Sequence, residues 1–109
     1  MPRNPETAKA RRRIVIGENM KRVKAAAKEV GASWYKGRRI DPWDEGLALR
    51  RNEVWIRKKI KERYEIIDIS IDPTRSLRSH FYEMEKRIIV ESNYLLLPYD
   101  IITLSAKRK

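Results

Sequence analysis

The stretch Ile14-Val15-Ile16-Gly17-Glu18-Asn19-Met20, continuing to Gly31 as IVIGENMKRVKAAAKEVG, decides the fold class. Three consecutive β-branched residues make a short strand that stops at Gly17. Asn19 then suits a helix N-cap, because its short side chain accepts from the free N–H groups of a first turn. Met20, Val23, Ala26, Ala27 and Val30 recur at helical spacing, with Lys21, Lys24 and Lys28 on the other side. Gly31 falls where a left-handed residue closes the helix.

Working outward, Ala32 to Lys36 (ASWYK) reads as a second strand and Gly37 to Gly46 as a loop rich in turn residues. A second helix runs from about Leu47 to Arg63, with Asn52, Trp55, Ile56, Lys59 and Ile60 along one stripe. Asn52 heads that stripe, where a polar group needs a partner; backbone and a ligand both stay open. Glu65 to Asp72 (EIIDISID) alternates as a strand, with Ile67, Ile69 and Ile71 on one side and Ile66, Asp68, Ser70 and Asp72 on the other. Pro73 ends it. A third helix runs from about Ser76 or Ser79 to Ser92, burying Leu77, Phe81, Met84 and Ile88, with Tyr82, Glu85 and Ile89 on a flanking face. Residues 94–97 form a last strand broken by Pro98, and 100–104 continue it or add an edge. The alternation predicts an α/β domain over 14–104 with about four mostly parallel strands and three helices. The polar side of the 65–72 strand keeps an α+β fold with one open sheet face as the alternative. Residues 1–13 read as a basic flexible arm and 105–109 as a basic tail.

A chain of 109 residues holds one domain. The absence of cysteine excludes disulfides, thiolate-bound zinc and a cysteine nucleophile, and His80 is the sole histidine. No apolar run is long enough to span a membrane, and the basic start lacks the apolar core of a secretory signal. The net charge is +11, with much of the excess in the two termini. Such arms suit a polyanion such as nucleic acid, and they also keep a small domain soluble.

Candidate chemistry concentrates in Asp72-Pro73-Thr74-Arg75-Ser76-Leu77-Arg78-Ser79-His80. Two guanidinium groups three residues apart can clamp a phosphate, and the following helix N-terminus favours an anion. That same terminus predicts a lowered pKa for His80, suited to a neutral general base. Glu85, about one turn further on, is a surface residue or a carboxylate aimed at the cleft floor. Gly17, Glu18 and Asn19 follow the first strand, where a parallel sheet offers its ligand end. Asp68 and Asp72 lie about 13 Å apart along a straight strand, so a divalent metal there needs Glu18 or Glu85 as well. Trp34, Tyr35, Trp43 and Trp55 alternate with basic residues, an arrangement that packs a core or stacks bases.

The run Val15 to Met20 with Arg22-Val23 and Ala25-Ala26, the set Asn52, Trp55 and Ile56, and the block Ile66–Ile69, Asp72, Thr74, Arg75, Arg78, Ser79, Phe81, Tyr82, Met84 and Glu85 are similar to C-terminal toxin domains of bacterial polymorphic toxins. Those domains are the variable tips of YD-repeat and contact-dependent-inhibition proteins. His80 stands where that pattern carries proline. The resemblance implies a small secreted or delivered effector acting in a target-cell cytoplasm, commonly a nuclease, with a cognate immunity protein. It also implies Asp72, Arg75, Arg78, Ser79, Tyr82 and Glu85 as site residues.

Three functions follow as expectations. The first is a nuclease in which Arg75 and Arg78 hold phosphate, with Glu85 or Asp72 as base or metal ligand and His80 and Tyr82 beside them. Gly17, Glu18, Asn19, Ser79 and Asn52 would bind substrate. The second uses the same cleft to cleave the glycosidic bond of NAD or another nucleotide. The third is a non-catalytic basic module for nucleic acid or an acidic protein, the immunity partner included.

Overall fold

The computed structural model describes residues 12–36 and 44–99. In chain order the elements are β1 (Arg13–Ile16), α1 (Met20–Val30), α2 (Glu45–Lys61), β2 (Glu65–Asp68), α3 (His80–Glu91) and β3 (Leu96–Pro98). The strands form one parallel sheet in the order β1-β2-β3. Ile14 lies opposite Ile66 and Ile16 opposite Asp68, while Ile66 and Ile67 face Leu96 and Leu97. The result is a small mixed α/β fold of three helices on a three-stranded sheet.

Strand periodicity divides the core in two. Ile14, Ile16 and Ile66 pack with Ile56 of α2 and with Tyr82, Met84, Ile88 and Ile89 of α3. Val15 and Ile67 turn the other way, onto Val23, Ala26 and Ala27 of α1. Consecutive residues in β1 and β2 are therefore buried on opposite sides, as a covered parallel strand requires. This overturns the α+β alternative with an open sheet face. α1 was the most legible element. Asn19 caps it by accepting from the N–H groups of Lys21 and Arg22, and Gly31 closes it at φ 68°.

Several boundaries differ from the sequence expectation. Ala32–Lys36 contributes a single bridge, Ser33 to Ile14, rather than a fourth strand. Beyond that bridge Tyr35 leaves to pack on Trp55, with ring centroids 5.2 Å apart. β2 ends at Asp68, because Ser70 adopts φ 74° and donates its N–H to the Asp68 side chain. Ile71 is consequently exposed. α3 begins at His80, which leaves Leu77 outside the helix and 76% exposed. The buried face of α3 is accordingly Tyr82, Met84, Glu85, Ile88 and Ile89, so the residues expected to flank the stripe are part of it. Pro98 ends β3 rather than breaking it, a position where its missing N–H is tolerated. The arm before residue 12, the loop with Trp43, the extension at 100–104 and the tail at 105–109 lie outside the described residues.

The topology places the site. α1, following β1, covers one face, whereas α3, following β2, covers the other. β1 and β2 are neighbours, so a crevice opens beyond their carboxyl ends, where ligands bind in parallel sheets. Gly17 stands at that exit for a packing reason. A Cβ there would lie 2.3 Å from Ile69 Cγ1 and 2.8 Å from Cδ1. We expect Gly17→Ala to destabilise the fold by about 1–3 kcal/mol through this overlap. In an Ile69→Ala background the same change should cost clearly less, as read by urea denaturation of the four proteins of the cycle. Equal costs in both backgrounds would refute the contact.

Candidate functional site

The crevice is organised by Glu18. Its carboxylate is buried and accepts the backbone N–H of Asp72 through Oε1 and that of Ser79 through Oε2, each at 2.8 Å. Arg78 Nη1 stands 3.2 Å from Oε1. One side chain at the end of β1 thus pins both ends of the 72–79 loop, which leads from β2 into α3. Burial pushes the Glu18 pKa up, but the two N–H bonds and the charges of Arg78 and Arg75 outweigh it, and the net shift is downward. Ser79 is the N-cap of α3, so the anion at this helix N-terminus is Glu18 itself. The expectation that the terminus holds a substrate phosphate is corrected accordingly.

Asp72 forms a second anchor. Its Oδ1 accepts from the Thr74 hydroxyl at 2.6 Å and the Thr74 N–H at 3.0 Å, and its Oδ2 accepts from Asn19 Nδ2 at 2.9 Å. Asn19 therefore caps α1 and ties it to the loop with the same side chain. These bonds, with Arg22 nearby, lower the Asp72 pKa from 3.8 to about 2. Arg78 donates to the Arg75 carbonyl at 3.0 Å and reaches the Asp72 carbonyl at 3.5 Å, so it serves the loop. Arg75 bonds only through Nε, to the Leu77 carbonyl at 3.2 Å, among the described residues. The residue is exposed, and its two terminal nitrogens make no hydrogen bond among the described residues. The expected two-arginine clamp thus resolves into a structural Arg78 and an available Arg75.

An open cleft of about 1010 Å³ brings together Glu18, Asn19, Asp72, Arg75, Arg78, Ser79 and His80. Glu45, Ala48 and Glu83 complete a wall that sequence reasoning missed. Glu45 precedes His80 by 35 residues, and only packing of α2 beside α3 makes them neighbours. His80 Nδ1 is hydrogen-bonded to Glu45 Oε1. That bond and the Glu45 charge, helped by Glu83, raise the His80 pKa above 6.5. The expected helix-terminus effect is reversed, because two carboxylates stand beside the ring and Glu18 already faces the terminus.

Four sequence candidates do not line this cleft. Gly17 is a packing residue. Asn52 and Glu85 are buried between α2 and α3, with Asn52 Nδ2 donating to Glu85 Oε2 at 3.0 Å. Asn52 therefore satisfies a side chain rather than backbone or ligand at this contact. Tyr82 points beneath the loop and donates to Asp68 Oδ1 at 2.8 Å, with Lys86 Nζ 3.3 Å from Oδ2. Burial and the Asp68 carboxylate raise the Tyr82 pKa, so its hydroxyl stays protonated. Among the described residues no three His, Asp or Glu side chains are grouped to hold a metal ion. No described helix is long and apolar enough to cross a membrane. No family model, curated protein or solved structure matches this chain.

The lowered Asp72 pKa has a definite sign. Folding favours the ionised carboxylate, so its contribution is full above about pH 4 and is lost as pH falls toward 2. Between those values the urea midpoint should drop more steeply for the natural chain than for Asp72→Asn. Parallel pH profiles would show that Asp72 is not held as described.

Proposed function

We propose that this chain is a small effector domain that cleaves RNA in the cleft between the loops after β1 and β2. The observation that carries the proposal is the meeting of an exposed Arg75, its terminal nitrogens without a hydrogen bond among the described residues, with a His80–Glu45 pair in one open cleft. Cleavage of RNA by its own 2′-hydroxyl needs an acid, a base and a cation, which matches this donor set. Arg75 would bind a phosphate oxygen and offset the charge that grows on it. Glu83, which has no side-chain partner among the described residues, would accept the proton of the 2′-hydroxyl. The 2′-oxygen then bonds to phosphorus, the bond to the 5′-oxygen breaks, and protonated His80 gives that oxygen its proton. Glu45 acts as a positioning residue that keeps the ring charged.

The effector role rests on the resemblance of the 66–85 block to polymorphic-toxin tips. It entails action in the cytoplasm of a target cell and an acidic immunity protein covering the cleft. Arg75 and the exposed Leu77 at its rim suit such a partner.

The assay is incubation with RNA, DNA and NAD in the presence of a chelator. RNA should be cut to products ending in a 2′,3′-cyclic phosphate. His80→Ala should lower the rate by about 10²–10⁴, and Arg75→Ala by about 10²–10³. Consumption of NAD instead, or RNA cleavage unaffected by both changes, would overturn the reading. Because His80 acts protonated, the rate should fall as pH rises through its elevated pKa. Glu45→Gln should move that alkaline limb to lower pH, whereas an unmoved limb would remove Glu45 from the scheme.

A further inference from the structure

The basic excess of the described residues is not spread evenly. Residues 12–36 carry seven Lys and Arg against two Glu, whereas residues 44–99 carry eleven against ten Asp and Glu. The imbalance therefore belongs to β1, α1 and the segment after it. On α1, Lys21, Lys24 and Lys28 are exposed and stand at i, i+3 and i+7, so they share one face. None has an ion-pair partner among the described residues, although some basic side chains on α2 and α3 do, including Arg57 with Glu53 and Arg87 with Glu91. The one acidic residue of α1, Glu29, is hydrogen-bonded to the Tyr99 hydroxyl. The row starts one residue after Met20, which lines the cleft. Arg22, in the same first turn, already acts electrostatically on Asp72 inside it.

We infer that this face of α1 is a phosphate-tracking surface that guides a single nucleic-acid strand into the cleft. The choice of strand rests on the RNA reading of that cleft. From Lys21 to Lys28 the helix advances about 10 Å, enough to face about three phosphates of one strand. The three ammonium groups contact backbone only, so they add affinity without base preference. Arg75 lines the same cleft as Met20, so a strand held on α1 reaches it with its phosphates already ordered.

The test separates binding from cleavage. A short 2′-O-methyl oligoribonucleotide has no free 2′-hydroxyl and cannot be cut by the proposed route. Its affinity is measured by fluorescence anisotropy across about 50–200 mM salt, a range in which phosphate contacts weaken strongly. The combined variant Lys21→Glu, Lys24→Glu, Lys28→Glu should bind at least about tenfold more weakly, with the salt slope reduced by about two. The matched variant Arg50→Glu, Arg51→Glu, Lys58→Glu reverses as many exposed charges on α2 and should change the slope by less than about one. Circular dichroism of each variant confirms the helices. Equal losses for both variants, no loss for the first, or no binding by the natural chain would overturn the inference. Cleavage of a dinucleotide, too short to lie along the row from Lys21 to Lys28, should be the same in the natural chain and in the α1 variant. Loss of oligonucleotide binding on α1 reversal supports the tracking surface even if no dinucleotide is cut, so the two readings fail separately.

Discussion

The structure turns on a buried carboxylate at the end of a strand. Glu18 leaves β1 where the chain would otherwise expose the N-terminus of α3, and it accepts the N–H groups at both ends of the 72–79 loop. A buried charge is costly unless it is hydrogen-bonded and paired, and here two backbone donors and Arg78 meet that demand. The loop has little apolar surface of its own; Arg75, Ser76 and Leu77 are all exposed. Its conformation is therefore set by polar contacts radiating from Glu18 and Asp72 rather than by packing. This explains why so many donors in a cleft rich in arginine and hydroxyl groups face inward.

The same arrangement assigns different work to residues that look equivalent. Arg78 and Arg75 are three apart, yet one is held against Glu18 and two loop carbonyls while the terminal nitrogens of the other make no hydrogen bond among the described residues. Asp72 and Glu18 neutralise what would otherwise be ligand-binding donors. The other ionisable groups of the cleft, His80, Glu45 and Glu83, come from two helices. Beneath the loop, Tyr82 with Asp68 and Asn52 with Glu85 close the polar core between sheet and helices. A carboxylate so enclosed serves packing specificity.

Electrostatic layering extends the picture to the whole domain. The α1 side of the sheet is basic, and the α2–α3 side is nearly balanced, with some of its charges in neighbouring pairs. A cleft at the junction of these layers is bordered by excess positive charge on one side and by Glu45, His80 and Glu83 on the other. The parallel sheet makes this possible, because helices that follow adjacent strands lie on opposite faces and both begin at the same crevice.

Sequence alone determined what depends on neighbours a few residues away. The Asn19 cap, the α1 stripe, the Gly31 stop and the parallel α/β class follow from local hydrogen bonding and apolar periodicity. The concentration of charged and hydroxyl side chains between Asp72 and His80 was legible for the same reason. Only the tertiary structure decided what those residues face. Whether Ala32–Lys36 pairs beyond one bridge depended on Trp55 from another helix. Whether Leu77 is buried depended on where Glu18 and Ser79 let α3 begin. The raised pKa of His80 depended on Glu45, far away in the chain. A side chain's partners across space are set by how layers pack, and periodicity along one segment carries no information about the segment packed against it.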